Sequence, residues 1–305
     1  MWPLLSFSQQ TMEVLTEHKQ QKFPDAIPAG NYSGITWLGD DRYAVVSDKS
    51  AEDGFFVFRI ELDSLTGRIL HAENEGFRSS GKKNRDVEGI AYVAETRTLF
   101  ISGEKDNAIR EYALDGQHTG RWLVVPEVFK AAKSNLGFEA LGYDAERKLF
   151  WTTTEGALEG EGSLLRLQSF GLDGKPARQF LYQMDEPQAS NPLVMGVSSV
   201  CALGNDQLLV LEREAKVAKL KIGSWVHCKL YVVQTTGEEG KLLDKTLVTE
   251  FRTKINLTRR NFANYEGMCL GPRLADGSRT LILIADSQDQ HGGILRDWLK
   301  VIVFR

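Results

Sequence analysis

The sequence predicts an all-β fold, a single-domain β-propeller of four-stranded blades, and three observations predict it. The first is a short phrase that returns five times: a small or acidic pair, an apolar strand, then a second strand that ends on an acid. Its copies start at Ser33-Gly34-Ile35, Val87-Glu88-Gly89-Ile90, Phe138-Glu139-Ala140-Leu141, Val197-Ser198-Ser199-Val200 and Tyr265-Glu266-Gly267-Met268. They run to Asp48, Glu104, Glu155, Glu212-Arg213 and Asp286. The second is the spacing: counted at positions 34, 89, 140, 199 and 267, the steps are 55, 51, 59 and 68 residues. A period of that size written in strands is the signature of a propeller. The third is the absence of a linker or composition shift across 305 residues, which suits one toroid better than two domains.

Each period divides into strands by alternation and turns. The first gives 34–38, 43–47, 55–62 and 69–73. The second gives 89–93, 98–102, 108–114 and 120–125. The third gives 140–143, 149–154, 163–170 and 178–183, with Asp173-Gly174 as a hairpin turn. The fourth gives 200–203, 208–212, 229–235 and 245–251. The fifth offers 267–270, 281–285 and 299–304, and is one strand short. A strand candidate at 12–19 has no blade of its own, so pairing of the N- and C-terminal strands would complete the fifth blade and leave no bare edge. Helix is expected once, at 126–133. Five phrases give five blades, with six as the alternative, because about 61 residues per blade exceeds the roughly 40 to 50 that four strands need. The surplus is expected in loops at 76–85, 187–193 and 252–264.

Bulk properties exclude several classes of function. A net charge of −4 and a pI near 5.8 give no basic field for duplex nucleic acid. No run approaches the 18 or more apolar residues of a membrane-spanning helix. Residues 1–10 read as the remnant of a secretion signal, with Ser6 and Ser8 at the small-x-small positions of a cleavage site; the propeller then occupies 11–305, exported to the periplasm or cell envelope. Cys201, Cys228 and Cys269 form no CxxC and are odd in number, which predicts neither a disulfide framework nor a zinc site.

Topology turns the repeated acids into a site. The start of a blade's first strand and the end of its second share a face of the disc, so Glu88 should meet Glu104, Glu139 should meet Glu155, and Glu266 should meet Asp286, joined by Asp48 and Glu212. The small residue after each phrase acid leaves room for backbones converging on the axis. Up to eight carboxylates at one mouth repel one another unless protonated or neutralised. Two answers remain open. A divalent cation held by Glu88, Glu139 and Glu266 is one; oxygen-only ligands point to calcium, with magnesium second. An ion-pair network with Arg213, Lys105 and Lys49 is the other. Glu104, Glu155, Asp286 and Arg213 are the candidate catalytic groups. Arg85, Lys105, Arg259 and Arg260, in or beside the phrases, are expected to form a rim that binds an anionic substrate. The aromatics Tyr32, Phe138, Phe262 and Tyr265 beside the phrases are candidates either for ligand contact or for packing between blades.

The phrases Asp86-Val87-Glu88-Gly89-Ile90, Gly137-Phe138-Glu139-Ala140-Leu141, Leu209-Val210-Leu211-Glu212-Arg213 and Asn264-Tyr265-Glu266-Gly267-Met268, in this order, resemble the phytase-like propeller family known for "esterase-like activity of phytase". The resemblance implies an exported bacterial propeller with phosphoesterase or esterase activity. Serine esterase chemistry has no support, since no GxSxG elbow occurs. Three functions follow: a metal-dependent hydrolase of small anionic phosphoesters or esters, a lactonase of the gluconolactonase type, and a non-catalytic envelope protein that binds a ligand on the disc face.

Overall fold

The computed structural model of the protein describes residues 12–258, 260–288 and 295–305. The expected secretion signal lies outside them. Among the described residues twenty-one strands, β1 to β21, fall into five antiparallel sheets arranged as a ring of blades. Blade 1 is β3 (Tyr32–Gly39), β4 (Arg42–Ser47), β5 (Glu52–Leu62) and β6 (Ile69–Lys83). Blade 2 is β7 (Val87–Val93), β8 (Thr98–Gly103), β9 (Ala108–Ala113) and β10 (His118–Trp122). Blade 3 is β11 (Phe138–Asp144), β12 (Leu149–Thr154), β13 (Leu164–Gly171) and β14 (Pro176–Gln183). Blade 4 is β15 (Val194–Gly204), β16 (Gln207–Lys216), β17 (Trp225–Gln234) and β18 (Lys245–Lys254).

Blade 5 closes the ring. Its strands β19 (Asn264–Leu270), β20 (Arg279–Asp286) and β21 (Trp298–Phe304) are completed by β1 (Val14–Glu17), which pairs antiparallel with β21 as the outer strand. The short β2 (Gln21–Lys22) also pairs with β21. Five blades and terminal closure are therefore as the sequence predicts. Two local expectations differ. Most of 76–85 is not a surplus loop but the continuation of β6, a 15-residue strand that pairs with β5 as far as Glu52–Lys83. The helix is a single 3-10 turn, Glu127–Ala131, anchored by buried Phe129.

The core consists of five apolar layers, one between each pair of adjacent blades. All four phrase aromatics belong to it: Tyr32, Phe138, Phe262 and Tyr265 are buried, so they pack blades together and cannot reach a ligand. The three cysteines are free and buried. Their thiols are pushed up by burial, to about 11 for Cys201 and about 12 for Cys228, which makes them inert small hydrophobes.

The inner strands β3, β7, β11, β15 and β19 surround the axis, each touching the next. All five bulge at the repeated phrase: the register shifts between Tyr32 and Ile35, Val87 and Ile90, Phe138 and Ala140, Val197 and Ser199, and Tyr265 and Gly267. A bulge adds a residue to one strand and re-aims its side chain. Here the added position holds Glu88, Glu139, Ser198 and Glu266, with Ser33-Gly34 in blade 1. Glycines of the repeated phrase sit where backbones nearly touch. A Cβ on Gly34 would lie 2.3 Å from the Glu88 carbonyl oxygen, and one on Gly89 would lie 2.7 Å from the Leu141 nitrogen. Backbone cannot retreat as a flexible side chain can, so Gly89→Ala should lose about 1–3 kcal/mol of stability, read as a lower denaturation midpoint in urea. An unchanged midpoint would show that the ring can widen at this point.

Candidate functional site

The bulges place a ring of acids at one mouth of the propeller. A cavity of about 250 Å³ there is lined by Asp48, Glu88, Glu104, Glu139, Glu155, Glu266 and Asp286, together with Lys49, Arg213, Asn31, Asn135, Val194 and Gln288. Phrase acids come from the inner strands β7, β11 and β19; the rest come from the mouth ends of second strands or the turns after them. Among the described residues seven carboxylates thus face two cations. The acids also cluster across blade boundaries: one oxygen from each of Glu88, Glu139 and Glu266 lies within 4.8 Å of the other two, and the same holds for Glu104, Glu139 and Glu155 and for Asp48, Asp86 and Glu88.

Arg213 sits at the centre, 4% exposed. Its Nη2 donates to Glu139 Oε1 at 3.1 Å and to Glu155 Oε1 at 2.7 Å, while its Nη1 donates to Glu266 Oε1 and, at 3.0 Å, to Asn264 Oδ1. Asn264 also donates to Glu266, at 2.8 Å, which fixes that carboxylate from a second side. Gly196 pairs with Arg213 across β15 and β16, and a Cβ there would meet Glu155 Cγ at 2.5 Å, so glycine makes the space that Glu155 occupies. The Arg213 Nε is buried with no hydrogen-bond partner. Burial works against the guanidinium charge, but Glu266, Glu155 and Glu139 outweigh it and hold the arginine charged.

One arginine does not neutralise the ring. Burial, then the neighbouring Glu139, Asp48 and Glu266, push Glu88 well above the usual carboxylate range. Glu139 is raised in the same way, by burial and then Glu155, despite Arg213. Burial is likewise the main cause for Asp286, followed by Glu266 and Asp48. Glu266 and the half-buried Glu104 are raised as well, mainly by burial. Among the described residues the Glu88 carboxylate has no hydrogen-bond or ion-pair partner, although it is 7% exposed. A charged group in that position is costly unless something else compensates it.

Several sequence-predicted residues lie elsewhere. Glu212 alternates with Arg213 along β16 and therefore points the other way, into blades 3 and 4. There it accepts from the Tyr182 hydroxyl and from Lys245 Nζ, each at 2.6 Å. Arg85 does not reach the rim. It is buried inside blades 1 and 2, donating to Asp53 at 3.1 Å, Asp106 at 2.9 Å, the Ala108 and Ile101 carbonyls at 3.0 Å and the Tyr112 hydroxyl at 3.2 Å, so its donors are consumed by structure. Lys105 is exposed beside the mouth and pairs with Asp86 at 3.0 Å. Arg260 is exposed on a bridge to Ile255 away from the cavity, and Arg259 lies outside the described residues. Of the expected cationic rim, Lys105 is the member that stands beside the mouth among the described residues; Lys49, expected in an ion-pair network, pairs with Asp48 and Asp86 there.

Sequence reasoning missed Asp86 and Asn264 as members of the site. Each stands two residues before a phrase glutamate, but the register shifts at the phrase, so alternation along the strand does not tell which way either side chain points.

The match with a family model covers residues 27–288, and the family is described as phytase-like, "Esterase-like activity of phytase". No curated protein matches the chain. Solved structures similar to it include a streptogramin B lyase, at 12% identity, covering 95% of this chain and 99% of that one, with a TM-score of 0.44. The tail fiber of Staphylococcus aureus phage P68 is 13% identical over 96% of this chain and 52% of its own, with a TM-score of 0.45. A chain of a nidogen/laminin complex is 13% identical over 89% and 84%, at 0.40. With the family model spanning most of the propeller and all four phrases that the resemblance rested on, this chain belongs to the phytase-like family described by esterase-like activity of phytase.

Proposed function

We propose that the protein is a metal-dependent hydrolase of phosphoester or ester substrates, with its site at the mouth bearing Glu88, Glu139 and Glu266. The observation that carries this reading is the charge imbalance among the described residues: seven converging carboxylates against two cations, with Glu88 buried and without a partner among them. The donors fit a hard divalent cation. They are oxygen only, come from three different blades, and bring one oxygen each within 4.8 Å of the others. Calcium is the first candidate and magnesium the second. A cation bound there would supply Lewis acidity toward an ester or phosphoryl oxygen and would make an anionic substrate tolerable among the acids.

The chain's own residues would do the rest. Glu104 is the half-buried acid at the edge of the cavity, oriented by the Gly137 N–H at 3.1 Å, and is placed to take a proton from a water. Asp286, oriented by the Gln288 N–H at 2.7 Å and pushed well above the ordinary carboxylate range by burial and then by Glu266 and Asp48, is the group placed to donate a proton to a leaving oxygen. Arg213 is a positioning residue rather than a charge clamp on substrate, because both of its terminal nitrogens are already committed to glutamates. Lys49 and Lys105 are the cations near enough to the mouth to meet an anionic group.

The test combines thermal unfolding with turnover. Added calcium should raise the midpoint in chelator-treated protein, with the gain growing as RT ln(1 + [L]/Kd). Glu139→Ala should abolish this shift together with hydrolysis of phosphoester or ester substrates. Retained turnover in that variant would sink the reading; a sugar lactone as the sole substrate would move it to a lactonase. No shift and no turnover would leave the acids as an ion-pair network built on Arg213 and the mouth as a binding surface.

A further inference from the structure

Blade 4 extends well beyond the acid ring on the mouth side. Its β16, β17 and β18 are 10 residues each, against 6 for the second strands β4, β8 and β12 and 8 for β20. They continue three rungs beyond Arg213, to the row Lys216, Trp225 and Lys254, a rise of about 10 Å above the acid ring. Two loops cap this row, residues 217–224 and, of the second, the described residues 255–258 and 260–263. They are tied together by Gly223 N donating to the Ile255 carbonyl at 2.8 Å and Ile255 N donating to the Ser224 carbonyl at 2.9 Å.

The tip they form carries exposed aliphatics: Leu220 is 84% exposed, Leu257 88% and Ile222 54%. Lys216, Lys219 and Lys221 flank Leu220 and Ile222 along the chain, Lys254 and Arg260 flank Leu257, and residues 215–224 and 253–263 contain no Asp or Glu. Among the described residues none of Lys216, Lys219, Lys254 and Arg260 has an acidic partner within ion-pair distance. On a chain of net charge −4 this is a local reversal of sign.

We propose that this tip docks the mouth face of the propeller onto an anionic lipid surface. Projecting aliphatics flanked by lysines match the two halves of such a surface, acyl chains beneath negatively charged headgroups. A protein partner would be expected to find aromatic anchors, and a single-stranded nucleic acid would be expected to find stacking platforms; the nearby Trp225 is instead covered by Arg252, whose guanidinium lies 4.4 Å from the ring centre. The proposal does not depend on what the mouth does chemically.

Co-sedimentation of the purified protein with vesicles of phosphatidylcholine, alone or mixed with phosphatidylglycerol, tests it. Binding is expected only to the mixed vesicles and should weaken as salt is added. Lys216→Gln and Lys219→Gln should each lower the partition about fivefold. Leu220→Ser combined with Leu257→Ser should remove binding while leaving the unfolding midpoint unchanged, since both side chains are exposed. Equal binding to the two vesicle types, binding unaffected by these variants, or capture of a single-stranded oligonucleotide without capture of vesicles would overturn it.

Discussion

Arg213→Met should destabilise the protein by about 3–5 kcal/mol, the scale expected when one partner of a buried ion pair is removed and the other is left behind. The position is more demanding than a simple pair, because the guanidinium holds Glu139, Glu155 and Glu266 from three blades at once. Its loss would leave three buried carboxylates around an axis where Glu88 is already uncompensated. Arg213→Lys should recover little of the loss, since a single ammonium cannot reproduce a planar fork that reaches three carboxylates. Two further results would identify repulsion as the cause. The deficit should shrink at acid pH, where the glutamates take up protons, and adding Glu139→Gln should restore part of the stability in a double-mutant cycle. Urea unfolding gives all of these numbers. A deficit below about 1 kcal/mol would mean that water or ions already screen the ring, and that the arginine is not its keystone.

The second large effect is an inverted dependence of stability on pH in protein stripped of divalent cations. Glu88, Glu139, Glu266 and Asp286 all have folded-state values above the ordinary carboxylate range, with burial the main cause in each. The native state therefore binds more protons than the unfolded chain between that ordinary range and the raised values. Stability changes with pH as 2.303RT times the protons bound by the unfolded state minus those bound by the native state, so here the slope is negative. Stability is fully present below the unfolded values and is lost as pH rises toward the raised ones. Asp297, raised by burial to about 6, acts in the same direction. Asp185 acts in the opposite one: although burial works to raise it, hydrogen bonds from Lys229, Lys245 and Tyr231 hold it below its ordinary value, and its contribution disappears only as pH falls under that range. Thermal midpoints measured with chelator should thus peak on the acid side of neutrality and fall toward alkaline pH. Added calcium should flatten the alkaline limb if the acids hold it. A midpoint that rises through neutrality and ignores calcium would remove the case for both the raised values and the metal.

Much of this molecule was legible in its repeats. The five phrases gave the blade number, and the strand left over at the N-terminus, now β1, supplied the outer edge of blade 5. Both follow from short-range pattern: alternation marks a strand, and a strand with a bare edge needs a partner. The acids were legible too, because a hairpin necessarily returns the end of its second strand to the start of its first. What the linear pattern did not carry was side-chain direction. Glu212 and Arg213 are adjacent in sequence, yet one points into blades 3 and 4 and the other becomes the centre of the mouth. Arg85 reads as a loop cation but lies at the junction of blades 1 and 2, where Asp53 and two carbonyls claim it. Tyr32, Phe138, Phe262 and Tyr265 stand beside the site in sequence and are sealed in the layers between blades.

The sequence alone determined the propeller, its closure and the convergence of acids, because those depend on period and on which strands neighbour which. Only the tertiary structure decided that the bulges turn Glu88, Glu139 and Glu266 toward one point, that Arg213 gathers carboxylates from three blades, and that the basic tip of blade 4 stands above them. The physical reason is that direction and desolvation are properties of packing: whether a charge faces the axis, a neighbouring blade or solvent depends on residues far away in the chain, and no local period encodes them.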